Sequence, residues 1–154
     1  MKLKHPNIFD PVTVEDLKIR IGHLNPTTTP EWGKMNAPQM LAHVCVPYEI
    51  AFDNIHPKPS AIMRWVLNKF VKPSVVSSKP YARNAKTAPV FIIKGDRDFD
   101  NEKARLFAYL DKCKDLGSDH FEGLFYPNFG KMTLDEWNSL FYKHLDHHLI
   151  QFGV

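Results

Sequence analysis

The chain has 154 residues, of which 44% are hydrophobic and 24% are charged. This balance is typical of a folded globular protein and excludes a disordered chain. The net charge of +3 is small, and the lysines and arginines are scattered without a basic block, so we expect no nucleic-acid partner. No apolar run approaches the roughly 20 residues that cross a bilayer, and the first residues lack the apolar core of a signal peptide. We expect a single domain over residues 1–154, located in the cytoplasm, with no membrane partner.

The chain contains two cysteines, Cys45 and Cys113. Neither has a partner at the spacing of a metal-binding cysteine pair. We therefore expect both to be reduced thiols, as is usual for cytoplasmic proteins.

Apolar residues recur at helical spacing through most of the chain. The pattern predicts helices over 13–24, 36–54, 60–71, 100–116 and 133–152. Thr13, Asn36, Ser60 and Thr133 are good helix caps, and Thr133 is followed three residues later by a glutamate, which completes a capping box. Gly117 is well suited to end the fourth helix.

Residues 73–98 show no helical pattern and contain one apolar run, from Pro89 to Ile93. The run could form a short strand near Val90 to Ile93, but a lone strand has no obvious partner. We interpret it as an extended connection that crosses the helices. Long irregular connections inside compact domains are often functional, so this segment is a candidate lid.

Helices of three to five turns, joined by loops with proline and glycine, predict an all-α protein. The expected architecture is an antiparallel four-helix bundle with an additional short helix and the long irregular connection. Such bundles form metal sites in their cores, from side chains on facing helices.

Three of the eight histidines lie in one five-residue stretch of the last predicted helix, residues 144–148. His144 and His148 are four residues apart, so their side chains point to the same side, one turn above the other. The same stripe carries large apolar residues: Trp137, Leu140, Phe141 and Phe152. A buried imidazole pair at this spacing is a common arrangement for holding a transition metal.

His147 is the competing candidate, because it lies three residues from His144 and could replace His148 as the ligand. Both positions are within reach of one site on a regular helix. The apolar stripe favours His148, since His147 falls toward Lys143 and the polar flank of the helix.

A third ligand is best sought on the second predicted helix, where His43 lies among apolar residues. Pro47 cannot donate a hydrogen bond to the carbonyl of His43, so the helix should bend beside it. The bend either aims His43 at the site or has no role. If His43, His144 and His148 form one site, their nitrogens should converge to within about 4 Å of one another.

The alternative is that these histidines are hydrogen-bonded core residues and bind no metal. Leaving several buried imidazoles without partners would cost about 1 to 3 kcal/mol each, which favours a shared ligand. Of the other histidines, His5, His23 and His56 lie near termini or loops, and we expect them to be solvated. His120, beside Asp119, is the one that could approach the site.

Two motifs, Met40 to His43 and His144 to His148 with Gln151, resemble the DinB/YfiT-like superfamily of candidate metalloenzymes. Other segments are similar to patches that recur in a DinB-related family of unknown function: Trp32–Met35, Phe129–Gly130, Glu136–Trp137 and His144–Gly153. The similarity extends over nearly the whole chain. It implies a four-helix bundle in which His43, His144 and His148 hold a divalent metal.

The resemblance implies several kinds of chemistry, because some relatives are thiol-dependent transferases or isomerases and others are hydrolases. Imidazole ligands favour zinc or nickel, and three protein ligands leave a position for water or for a small-molecule substrate, which stays unidentified. Asp146, Glu49 and Tyr48 are candidate acid–base groups, although Asp146 should point away from the site. The rival interpretation is a non-catalytic binding or interaction protein whose metal is structural or absent, and a homodimer stays open.

Overall fold

The structure is a computed structural model that describes residues 2–154. Most of these residues are helical. In chain order the elements are α1 (Pro11–Gly22), α2 (Ala37–Tyr48) with a π-helical turn (Glu49–Asp53), α3 (Ala61–Val66) with a π-helical turn (Leu67–Val71), α4 (Lys72–Val75), a 3-10 turn (Pro89–Phe91), α5 (Phe99–Leu116), α6 (Ser118–Phe121), β1 (Phe125–Tyr126), β2 (Gly130–Lys131), α7 (Leu134–Asn138) with a π-helical turn (Ser139–Lys143), and α8 (His144–Gln151). The predicted all-α class is confirmed.

The caps of the longer helices explain where those helices begin. Thr133 forms the predicted capping box, and Asn36, predicted as a cap, forms one with Gln39. In each box the cap side chain accepts from a backbone amide of the first turn, and the Gln or Glu side chain accepts from the backbone amide of the cap residue. The predicted start of the first helix at Thr13 is wrong. The helix begins at Pro11, because the Asp10 carboxylate accepts from the amide of Val12 and proline is favoured at the first helical position.

The third predicted helix starts at Ser60 as expected, but it does not stop before Pro73. A π-helical turn precedes the proline, which then lies in the first turn of α4, where its missing N–H is not needed. No residue from Ala61 to Val75 is buried, and several apolar side chains on this stretch are exposed to solvent. None of the helices described has the length and apolarity that a membrane crossing requires.

The run from Pro89 to Ile93 forms a 3-10 turn and extended chain, so the interpretation as an extended connection is confirmed and no strand forms over Val90 to Ile93. Strands occur instead in a short antiparallel hairpin that pairs Phe125 with Lys131 and Tyr126 with Gly130. Each strand has two residues, which is too short to produce a readable alternation in the sequence.

The core lies between α2, α5, α1 and the last helix. It is formed mainly by fully buried aliphatic and aromatic side chains: Leu17, Ile21, Met40, Leu41, Leu106, Leu110, Phe141, Leu145 and Leu149. Cys45 and Cys113 are both free and buried in this core, as the expectation of reduced thiols requires. This packing fixes α2 against α8, which carry the histidines of interest.

Candidate metal centre

The structure brings His43 of α2 together with His144 and His148 of α8. One ring nitrogen of each lies within 4.8 Å of the others, slightly wider than the spacing predicted from the sequence. The Nε2 atoms of His43 and His144 are 3.0 Å apart. The ring centroids are separated by 4.5 Å for His43 and His148 and by 4.9 Å for the other two pairs. Three imidazoles from two facing helices thus surround one point.

A backbone carbonyl fixes the orientation of His43. Its Nδ1 lies 2.8 Å from the carbonyl oxygen of Phe91, so Nδ1 carries the hydrogen and donates it. In the neutral ring, Nε2 then has a lone pair and points toward His144. The Phe91 ring also packs against both imidazoles, with centroid distances of 5.6 Å to His43 and 5.7 Å to His144.

The long connection between α4 and α5 therefore covers the site, because Phe91 belongs to it. Farther along, the side-chain amide of Gln39 donates to the carbonyl of Gly95 and holds the end of the connection to α2. The candidate lid of the sequence analysis thus supplies one of the groups that orient the histidines.

His148 is oriented by a side chain of its own helix. Its Nδ1 donates to Oε1 of Gln151 at 2.7 Å, which leaves Nε2 facing the other two rings. The amide Nε2 of Gln151 in turn donates to the carbonyl of Trp32 at 2.6 Å. The backbone amide of Glu31 donates to the carbonyl of Gln151 at 2.8 Å. Residues 31–33 thus hold the end of α8 and, through Gln151, the His148 ring.

Gly33 is required where this segment meets Gln151. Its φ of +87° is a conformation that side-chain-bearing residues rarely adopt, and a Cβ placed there would lie 2.6 Å from Nε2 of Gln151. Gln151 cannot yield freely, because both ends of its amide are bonded. We expect Gly33→Ala to destabilise the fold by about 2 kcal/mol, as measured by urea unfolding. We also expect it to displace the His148 ring, which would weaken the binding of an ion held by the three histidines, as measured by zinc titration.

Gly95→Ala is the matched control, because Gly95 also has a positive φ (+74°) but no atom within 4 Å of the added Cβ. It should show only the cost of the strained backbone and unchanged metal affinity. Equal effects of the two substitutions on metal affinity would show that the approach of Gly33 to Gln151 does not position His148.

His147 points to the side of the site rather than into it. Its half-buried ring packs edge-on against Trp32 at 5.9 Å and Tyr81 at 5.5 Å. Geometry therefore favours His148 over His147.

The neighbouring Asp146 faces away from the site, as predicted, and forms an ion pair with Arg20 at 2.8 Å.

Burial lowers the pKa of all three converging histidines. The pKa of His148, which is 8% exposed, falls to about 3, chiefly because burial disfavours its charged form and also because of repulsion from His43. The pKa of His144 is lowered well below its usual value by burial and by the surrounding histidines. Burial also lowers the pKa of His43, against the opposing effect of the Phe91 carbonyl. The three rings are neutral near pH 7, the form that binds metals.

The apolar stripe predicted for the last helix needs correction. From the π-helical turn onward, the buried apolar side chains Phe141, Leu145 and Leu149 form one row along the helix. His144 and His148 form the neighbouring row. The π-helical turn at Ser139–Lys143 adds one residue to the helix. Residues before and after this turn therefore do not share one α-helical spacing of side chains.

Two of the candidate acid–base groups lie elsewhere. Glu49 is buried, and its carboxylate is bound by Arg105 and, at 2.6 Å, by Nε2 of His56. The Tyr48 ring stacks between Tyr109 and Phe141, and burial raises its pKa well above the usual value. In residues 2–154, no hydrogen bond or ring contact joins Glu49 or Tyr48 to the three histidines.

The remaining histidines only partly match expectation. His56 is paired with Glu49 rather than solvated, and half-buried His5 lies 3.3 Å from the carbonyl of Ser77. His23 is exposed as expected. His120 is also exposed and packs edge-on against Phe121, so it does not approach the converging rings.

Comparison with known protein families gives a match to the family model described as "Protein of unknown function (DUF1569)", over residues 14–153. The chain belongs to this family. The matched DUF1569 region contains the three converging histidines, Gln151, and the Trp32–Gly33 segment that holds it. No curated protein and no solved structure matches the chain.

Proposed function

We propose that this protein is a metal-dependent enzyme of the DinB-like superfamily, in which His43, His144 and His148 hold one divalent ion. The observation that carries the proposal is the orientation of two of the rings. The Nδ1 atoms of His43 and His148 are used as donors, to Phe91 and Gln151, so both Nε2 atoms are left to face inward. A hydrogen-bonded outer nitrogen is typical of metal-binding histidines, because it fixes the tautomer and makes the inner nitrogen more basic.

The close approach of His43 and His144 supports the same conclusion. Since His43 Nε2 has a lone pair, the 3.0 Å separation is bridged either by a hydrogen on His144 Nε2 or by a cation bound to a lone pair on each ring. With metal–nitrogen bonds near 2.1 Å in tetrahedral geometry, ligand nitrogens are about 3.4 Å apart. The side chains would need only a small adjustment to reach that spacing.

Three neutral imidazoles suit a borderline ion, and we propose zinc or nickel. Three protein ligands also leave a coordination position for water or substrate, as in catalytic rather than closed structural sites. A bound ion would lower the pKa of that water and polarise a substrate. Phe91 limits the access of bulk water to the site, since its ring packs against both His43 and His144.

The protein's own thiols do not supply a nucleophile. Cys45 and Cys113 are fully buried, and burial raises the pKa of Cys45 to about 12 and also raises that of Cys113. A thiolate is the reactive form, so both are inert near neutral pH. We propose that the nucleophile is either water, in a hydrolase, or the thiol of a co-substrate, in a transferase.

The test compares metal-loaded and metal-stripped protein. Elemental analysis should find one zinc or nickel ion per chain, and none in the His43→Ala variant. The loaded protein should hydrolyse an activated ester, or join a small thiol to an activated aryl halide, at least about tenfold faster than the stripped protein. One bound ion with no rate difference in either assay would favour the rival interpretation of a structural metal in a binding protein. Absence of stoichiometric metal in the wild type would contradict the proposal.

A further inference from the structure

The converging histidines have no negative charge among their immediate partners. Their hydrogen-bond partners are a carbonyl, an amide and one another. No carboxylate acts on their pKa values, and the titratable groups that do are other histidines. Asp146, the acid closest in sequence, forms an ion pair with Arg20. Under the proposed function, on which this inference rests, a divalent ion held here keeps its full positive charge in a site of low polarity.

The segment that covers the site adds to this positive charge. The sequence shows no basic block, but its charges are unevenly distributed, because residues 54–95 contain no aspartate or glutamate. Four basic residues of this stretch belong to the connection between α4 and α5 that covers the site: Lys79, Arg83, Lys86 and Lys94. These four cations, with no acidic residue between them, favour an anionic ligand over a cationic one near the site.

Among these residues, Arg83 is the one placed to recognise a ligand. It is exposed, and its guanidinium lies over the Trp32 ring at 4.1 Å from the centroid. Trp32 contacts His147 with its ring and holds Gln151 with its carbonyl. Among residues 2–154, no carboxylate lies within ion-pair distance of Arg83. The contact with Trp32 restrains the Arg83 guanidinium, whose N–H groups, without an ion-pair partner, are available for a carboxylate.

Lys143 does not compete for this role. Its Nζ lies over the Tyr81 ring, but it donates to the carbonyls of Ser74 and Ser77 and to the Ser77 hydroxyl. These bonds, at 2.8 to 3.2 Å, use all three of its hydrogens. Lys143 therefore anchors the covering segment, and Arg83 remains available.

We propose that the substrate is a small organic acid whose carboxylate binds Arg83 while its reacting group extends to the metal. A chain of ring contacts connects the two points: Arg83 lies over Trp32, Trp32 packs against His147, and His147 packs against His148 at 5.1 Å. With Tyr81, which also contacts His147, these rings would form an aromatic wall for the body of the ligand. Arg83 thus determines specificity, and the three histidines hold the ion.

The test uses a pair of metal-binding probes that differ only in charge at the far end, benzohydroxamate and 4-carboxybenzohydroxamate. Their dissociation constants are measured by calorimetry on zinc-loaded wild type, Arg83→Ala and Lys86→Ala. Lys86 is the matched control, because it is an exposed cation in the same acid-free segment. Metal content is measured for each sample before titration.

We expect wild type and Lys86→Ala to bind the carboxylated probe about tenfold more tightly than the neutral one, the strength of a charge-assisted hydrogen bond. Arg83→Ala should reduce this preference to less than about twofold while leaving the neutral probe's affinity unchanged. Equal binding of both probes to zinc-loaded wild type would overturn the inference but leave the proposed function intact. Failure of wild type to load zinc, or of the loaded protein to bind either probe, would contradict the proposed function and this inference with it.

Discussion

His148→Ala is expected to weaken metal binding by about a hundredfold or more, whereas His147→Ala should leave the affinity within about threefold of wild type. The reason is geometric. His148 directs Nε2 at the other two rings because Gln151 holds its Nδ1. His147 instead packs its ring against Trp32 and Tyr81, to the side. Calorimetric titration of both metal-stripped variants with zinc measures the two dissociation constants.

The two variants control for each other, because each removes one imidazole from the same turn of α8. Thermal unfolding of the stripped proteins would verify that both are folded. Equal loss of affinity in both variants would show that His147 shares the coordination, and loss only in His147→Ala would reverse the assignment of the ligand.

The metal-free protein is expected to lose stability as the pH falls from about 6.5 to 5. Histidines whose folded-state pKa is lowered, as in His43, His144 and His148, stay neutral in the folded protein while the unfolded chain takes up protons. The free energy of unfolding therefore rises with pH between the folded pKa, about 3 for His148, and the unfolded value near 6.5. Each histidine contributes a slope of up to about 1.4 kcal/mol per pH unit within that window.

Urea unfolding at a series of pH values measures this slope. The paired carboxylates of Asp111 and Asp135, whose pKa values are lowered, lose their stabilising effect mainly below that interval. His148→Gln should reduce the slope, and substitution of the exposed His23 by glutamine should not. A free energy of unfolding that is constant from pH 6.5 to 5 would mean that the histidines are not buried as neutral groups.

Local sequence signals determine much of this fold. The capping boxes at Asn36 and Thr133 place two helix starts correctly, because each depends on side chains within one turn. The start of α1 was misplaced because Thr13 also resembles a cap, while the Asp10–Pro11 pair satisfies the helix start two residues earlier. The Phe125–Lys131 hairpin was missed because strands of two residues leave no periodicity to detect.

The candidate site was predictable as far as side-chain spacing carries information. Two sequence signals predict that the three rings share one site. They are the four-residue interval between His144 and His148 and the apolar surroundings of His43. The carbonyl of Phe91 could not be predicted, because a backbone group carries no residue signature and its position depends on the path of a long irregular segment. The close approach of Gly33 to Gln151 likewise depends on tertiary packing.

The most direct test of the central claim is X-ray absorption at the metal edge of the zinc-loaded protein. The proposed site predicts three imidazole nitrogens at about 2.0 to 2.1 Å and one further oxygen or nitrogen ligand, with no sulfur. His43→Ala should abolish loading and with it this spectrum. A spectrum with sulfur at about 2.3 Å, or with fewer than three imidazoles in the wild type, would contradict the assignment of His43, His144 and His148 as the metal ligands.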